Sequence, residues 1–326
     1  MKIFAIIVIV FAAILAASCG GGGGATTTAN ELPLATGAGI FAVSGRSESA
    51  VQVVVPTARS ATPPLMIVFH GTGGEPIDLI NWLGLVAKAE QYGFIVIAPR
   101  AGYRDINLTT TATHPADVDH IASSGGSSWN MWTASPTANE DLSYISALIA
   151  AAHTRYGVDT SRVYTMGFSN GAFFSYFVAA SLPNQIAGFA ESSGGWTSNA
   201  CPTRSDPATD TPLYTLATPG AVGANIGCTA IFSDPAFPQS CRTGIANPLR
   251  PPVPVPGARI PFGYLAHYSN DNTVSVVWSC LLSESLGTRA TTTIRNSDVG
   301  PNSGHTMIPD FVDKAWTAWA GRTNLQ

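Results

Sequence analysis

Charge is what this chain has least of. Asp, Glu, Lys and Arg make up 11% of its 326 residues, against about 25% in an ordinary soluble domain. Thr, Ser, Gly, Asn and Pro stand in their place, and a surface that is polar without being ionic suits an exported protein. The net charge of −4 leaves no basic footprint for nucleic acid. Metal-ligand spacing is missing as well. There is no C-x-x-C pair and no histidine clusters with a cysteine, so neither a metal nor a cofactor is expected. No internal repeat is present. The longest apolar run, Ile3 to Ala17, follows one lysine and is too short to cross a bilayer comfortably as a mature helix. Its position and length are those of a secretory h-region.

What is present begins with that leader. "LAASC" at Leu15–Cys19 resembles a bacterial lipoprotein signal, in which Cys19 becomes the lipidated N-terminus; plain cleavage near Ser18 is the alternative. The five glycines Gly20–Gly24 and the small residues up to Ala29 read as a tether. Residues 1–18 are therefore expected to be a signal peptide, 19–35 a flexible tether and 36–326 the folded domain. Cysteine usage agrees with export. Cys201, Cys228, Cys241 and Cys280 suggest two disulfides in an oxidising compartment, with three connectivities open.

Along the folded part, "AVQVVVPT" at Ala50–Thr57, "PLMIVF" from Pro64 and "FIVIAPRA" at Phe94–Ala101 read as strands, the last two continuous enough to be buried on both faces. Helical spacing spans Ile77–Gly93. A polar segment then runs to about Ser135. "NEDLSYISALIAAAHTRYG" is a helix with Asn139 as its cap, Glu140 and Asp141 at its positive end and Gly157 closing it. "RVYTMG" is a strand, "NGAFFSYFVAASL" a helix and "IAGFAESSGG" a strand. Strands alternating with helices imply right-handed crossovers and a mostly parallel sheet, hence an α/β fold. Periodicity vanishes between Gly195 and Pro261. It returns in "PFGYLAHYSNDN", a helix "TVSVVWSCLLSESLG", a strand "ATTTIR" and a last helix "DFVDKAWTAWAG".

One serine has a special place in this order. Ser169 lies in Gly167-Phe168-Ser169-Asn170-Gly171, after a strand and before a helix. A strand–Ser–helix elbow needs small residues two positions either side, and it pushes the hydroxyl out at the C-terminal end of a strand above a helix N-terminus. Such a serine is a candidate nucleophile, and it needs a base. His70 ends a strand in a glycine loop, His114 and His120 lie in the polar segment, His153 is on a helix and His267 is inside a strand-like run. Only His305 sits in a late loop between the last strand and the last helix, where the elbow architecture puts its base. Asp271, at the end of the penultimate strand, is the acid expected to orient His305; Asp298 is its rival. Asp310 and Asp313 read as helix N-terminal charges. Backbone N–H groups of Asn170 and of Thr72 in "HGTGG", with Gly71 the neighbouring possibility, are the oxyanion donors expected. Trp129 and Trp196 are the candidates for substrate contact.

The segments "PLMIVFHGTGG", "GFIVIAPRA", "SSWN", "RYGVDTSRVYTMGFSNGAFFSYFVAASLPNQIAGFAESSGG", "HYSNDNTV" and "GHT" resemble the α/β-hydrolase serine esterases of the polyhydroxybutyrate depolymerase and feruloyl esterase group. The resemblance covers most of Pro64 to Met307. It departs from the family at Thr72 and Ser128, where members often carry cysteine, and over Gly195–Pro261, a long insertion before the acid-bearing strand. It implies an α/β-hydrolase catalytic domain over 36–326, with a mostly parallel central sheet flanked by helices, and the triad Ser169, Asp271 and His305. The expected activity is cofactor-free hydrolysis of a hydroxyalkanoate, feruloyl or other aryl, or short-chain ester, small or polymeric. The expected protein is a monomer that meets the membrane only through Cys19. A peptidase of the same fold and a silent binding module are the alternatives.

Overall fold

The computed structural model describes residues 51–101, 103–104, 126–130, 139–195, 221–235, 237, 259, 261–271, 273–296 and 304–325. The leader and tether, with Cys19, lie outside the described residues. So do His114, His120, Trp196, Cys201, Cys241 and Asp298.

Seven strands form one sheet: β1 (Val51–Val54), β2 (Leu65–Phe69), β3 (Ile95–Pro99), β6 (Val163–Phe168), β7 (Gly188–Ser192), β8 (Phe262–Tyr268) and β9 (Ala290–Arg295). Their order is β1-β3-β2-β6-β7-β8-β9. Within this sheet only β1 is antiparallel to its neighbour; β3, β2, β6, β7, β8 and β9 run parallel. Two short strands, β4 (Tyr103–Arg104) and β5 (Gly126–Ser127), pair separately. Every residue of β2, β3 and β7 is buried; for β2 and β3 this is why the sequence reads as unbroken apolar runs, since a parallel sheet is covered on both faces.

The helices divide between the two faces. The core on one side gathers residues of α3 (Glu140–Tyr156), α4 (Asn170–Ser181), α5 (Gly227–Ser233) and α6 (Val276–Leu286). The other is built from α1 (Pro76–Trp82), α2 (Leu85–Tyr92) and α7 (Phe311–Trp319). The element order predicted the α/β class with a mostly parallel sheet, and the arrangement is the α/β-hydrolase architecture that the resemblance implied. Helix α3 starts as its sequence dictates: the Asn139 side chain accepts from the N–H groups of Asp141 and Leu142 at 2.9 and 3.1 Å, filling donors that the first turn leaves open. Gly157 ends it in the left-handed conformation, φ 68°.

Two expectations need correction. The helical stretch Ile77–Gly93 is two helices, because Gly84 adopts φ 60° and a left-handed residue interrupts the helical hydrogen-bond ladder. The aperiodic stretch Gly195–Pro261 is not without regular structure. Helix α5 lies in it, and residues 221–226 run beside β9, with Ile226 N–H donating to Ile294 O and Asn296 N–H to Ala224 O, both at 2.8 Å. Cys228 is bonded to Cys280 of α6, which selects one pairing from the three open connectivities. Among the described residues, no helix is long and apolar enough to cross a membrane.

Candidate active site

The site is built where β2, β6 and α4 meet. Ser169 links β6 to α4 with φ 55° and ψ −122°, a conformation costing on the order of 1–3 kcal/mol in a residue with a side chain. The surroundings hold it there: Ser169 N–H donates to Ser192 O at 3.0 Å, and its carbonyl accepts from Ala172 N–H at 2.9 Å. The flanking glycines have a steric reason. A Cβ on Gly167 would lie 2.0 Å from the carbonyl oxygen of Gly171, and one on Gly171 would lie 2.1 Å from that of Phe69. Strand β2 and helix α4 therefore cross in direct backbone contact.

His305 reaches this serine from the loop before α7. Its Nε2 is 3.1 Å from Ser169 Oγ, and its Nδ1 is 2.9 and 3.1 Å from the two Asp271 oxygens. Asp271 Oδ1 also accepts from the N–H groups of Thr273 and Val274 at 2.9 and 2.8 Å. Burial would raise this carboxyl, but hydrogen bonds from His267 and His305, and the charge those rings can carry, outweigh it and hold Asp271 far below the usual carboxylate range. The carboxylate stays ionised and can hold His305 with Nδ1 protonated and Nε2 free to accept the serine proton. Ser169, His305 and Asp271 are thus brought together as expected.

The loop after β2 closes against the elbow. A Cβ on Gly71 would be 3.3 Å from Ser169 Cβ, so the loop carrying Thr72 abuts Ser169. His70 shapes it. Its Nε2 accepts from Ala101 N–H at 3.0 Å, so Nδ1 carries the hydrogen and donates to Gly71 O at 2.7 Å. Burial pushes this imidazole's pKa down, keeping the ring neutral. Trp129 is corrected. Its indole has no exposed surface, stacks on Phe174 with centroids 4.7 Å apart and donates from Nε1 to His70 O at 2.9 Å, so it packs beneath the site. Its backbone N–H donates to the Asn170 side chain at 2.9 Å, tying it to the elbow.

The Phospholipase/Carboxylesterase family model matches residues 49–215, just over half of the chain. The chain belongs to this family. The stretch matched by the phospholipase/carboxylesterase model includes the Thr72 loop and the Ser169 elbow. Among curated proteins, the chain is 30% identical over 140 residues to feruloyl esterase B of Neurospora crassa, covering 43% of this chain and 42% of that one. It is 27% identical over 144 residues to a bifunctional acetylxylan esterase/xylanase of Neocallimastix patriciarum, covering 44% of this chain and 18% of that one. The chain spans less than half the length of the curated relatives it matches. An acetyl xylan esterase structure from Aspergillus awamori is similar with a TM-score of 0.49 and 16% identity, covering 84% of this chain and 95% of that one.

Three parts of this candidate site were not foreseen from the sequence. Trp82 is half exposed and meets Phe168 edge-on at 4.9 Å; Phe168 in turn lies 4.8 Å from the His305 ring. With Leu83, Met307, Ile308 and Phe311, Trp82 lines a cavity of about 240 Å³. His267, set aside as a strand residue, lies 3.2 Å from Asp271 Oδ2. Glu191, on the fully buried strand β7, also escaped notice; a lone carboxylate within "IAGFAESS" was the available signal.

Proposed function

We propose that the protein is a serine carboxylic-ester hydrolase. The observation that carries this is the unbroken line from Ser169 Oγ through His305 to Asp271, with both links within 3.1 Å. Ser169 Oγ attacks the ester carbonyl carbon while His305 Nε2 takes its proton. The oxyanion accepts hydrogen bonds from the N–H groups of Asn170, at the start of α4, and of Thr72. As the tetrahedral intermediate collapses, the C–O bond to the alcohol breaks and His305 returns the proton to the leaving oxygen. A water then repeats the sequence on the acyl-enzyme, giving the acid and free Ser169.

The substrate class follows from two supports. Curated relatives carry the names feruloyl esterase and acetylxylan esterase, and the half-exposed Trp82, set against Phe168, which in turn meets the His305 ring, offers a flat apolar surface to a ring. An aryl or acetyl ester, small or borne on a polymer, fits this reading better than a peptide. The same reading includes export, with residues 19–35 as a tether from a lipidated Cys19 and 36–326 as one monomeric catalytic domain.

The test is labelling with a fluorophosphonate, together with turnover of aryl acetate, methyl ferulate and a peptide anilide. The purified protein should label at Ser169, the Ser169→Ala variant should not, and esters should turn over far faster than the anilide. Failure to label, or a preference for the anilide, would overturn the proposal.

A further inference from the structure

The hydrogen-bonded line does not stop at Asp271. His267, fully buried on β8, has its Nε2 3.2 Å from Asp271 Oδ2 and 2.9 Å from Val274 O. Both neighbours are acceptors, so Nε2 carries a hydrogen. Nδ1 of the same ring is 2.7 Å from the hydroxyl of Ser279 on α6. That hydroxyl is also 2.7 Å from Oε1 of Glu191 on β7. Neither Ser279 nor Glu191 has exposed surface.

Counting hydrogens shows that something more is needed. A serine hydroxyl owns one hydrogen. Here it lies close to a carboxyl oxygen and an imidazole nitrogen, with the Gly194 carbonyl farther off at 3.2 Å; the two near atoms are both acceptors when Glu191 is ionised and His267 neutral. One hydrogen cannot fill both contacts, so a second must sit on Glu191 or on His267 Nδ1. The surroundings favour Glu191. Its Oε2 has no hydrogen-bond partner among the described residues, and an ionised carboxylate with a bare buried oxygen is far costlier than a neutral acid with a bare carbonyl. Among the described residues, the acids and imidazoles joined along this line are Glu191, His267, Asp271 and His305, and the phenol Tyr176 of α4 packs on Phe189 of the same strand as Glu191. No lysine or arginine hydrogen-bonds to them among the described residues, and α4 and α6 turn no carboxylate, imidazole or cation toward them, since Glu284 of α6 is on the exposed side. Burial pushes the Glu191 carboxyl up to about 8, against the pull of the Ser279 hydrogen bond.

We propose that Glu191, Ser279 and His267 form a proton-holding strut behind the catalytic acid: Glu191 donates its O–H to Ser279, Ser279 donates to His267 Nδ1, and His267 Nε2–H donates to Asp271. Every hydrogen then points toward Asp271, which receives two imidazole N–H and two backbone N–H groups. His267 is a positioning residue. It fixes the carboxylate against which His305 is aligned. When Glu191 loses its proton, the Ser279 hydrogen turns to the new carboxylate, His267 Nδ1 is left facing a lone pair, and a second negative charge is buried behind Asp271. Turnover should therefore fall on the alkaline side as Glu191 ionises.

The proposal rests on the esterase reading only for its kinetic test. Glu191→Gln keeps the shape and offers a permanent N–H to Ser279. Its alkaline limb of kcat should move up by about one pH unit or more, with KM within about twofold of wild type and kcat at pH 7 reduced no more than about tenfold. A limb that stays where the wild type has it would overturn the strut, since a merely structural role would change the melting temperature and leave the pH profile alone. Infrared spectra of the unmodified protein give an answer even if the variant does not fold. A protonated-carboxyl stretch should be present at pH 7 and disappear as the pH is raised through about 8; its absence at pH 7 would refute a proton held on Glu191. Absence of ester hydrolysis at every pH would sink the esterase reading instead, while the infrared band would still decide the strut.

Discussion

Alanine at position 171 would put a methyl group where the main chain of another element already runs. Its Cβ would lie 2.1 Å from Phe69 O and 2.5 Å from His70 O, and contacts under 3.0 Å are essentially never adopted. The obstruction is backbone, so no side chain can swing aside, and α4 must move off β2 by roughly 1 Å. Two consequences follow from that displacement. Overpacking of this kind costs about 1–3 kcal/mol. The shift also passes directly to Asn170 and Ser169, and about 1 Å of misplacement costs on the order of 10²-fold in rate. The assay is kcat on an aryl acetate beside calorimetric melting, with Gly321→Ala as the comparison. Gly321 has φ 73° and nothing within 4 Å of a Cβ, so that variant should lose about 1–2 kcal/mol to backbone strain and no turnover. If folded Gly171→Ala kept kcat within about threefold of wild type, the idea that a backbone crossing holds the nucleophile would be wrong.

Replacing Asp271 with Asn should cost about 10⁴ in kcat, by leaving His305 in the wrong tautomer, whereas Asp298→Asn should cost far less; the reverse ranking in steady-state kinetics would move the acid to Asp298. Trp82→Ala should lower kcat/KM on aryl esters about two- to tenfold relative to acetate, the scale of one aromatic contact, and Trp82→Phe should restore most of it. An equal loss on both substrates would remove Trp82 from substrate binding. Opening Cys228–Cys280, which are 52 residues apart, should cost about 4 kcal/mol in the chain-entropy account; an unchanged denaturation midpoint in the Cys228→Ser, Cys280→Ser variant would contradict it.

The triad could be read from the sequence because its members sit at punctuation points. Ser169 falls between two glycines at a strand–helix junction, Asp271 just past a strand and His305 in the last loop; chain order picks out Ser169 and His305 and leaves Asp298 as a rival to Asp271. The capped helix α3 was equally legible, since Asn139 and Gly157 act through neighbours in sequence. What escaped was carried by contacts between distant elements. Glu191 and Ser279 are 88 residues apart, and nothing local marks either as a partner of His267. Trp129 was misjudged for a related reason: its indole is buried by Phe69 and Phe174, from two other elements. The split at Gly84 shows the opposite failure. The apolar spacing continues through it, and only the glycine's backbone conformation ends the first helix.

The segment that runs beside β9 has a consequence for how the protein can be handled. Strand β9 closes the sheet, and an outer strand presents unpaired N–H and C=O groups that can recruit another chain. Residues 224–226 occupy two of those positions, through Ile294 O and Asn296 N–H, and α5 follows at once, bonded by Cys228 to α6. The crosslink is therefore also a latch on the sheet's exposed border. Made in a reducing cytoplasm, the chain would keep its serine, histidine and aspartate and still be prone to self-association, with β9 as the sticky margin. Oxidative export would shield that margin.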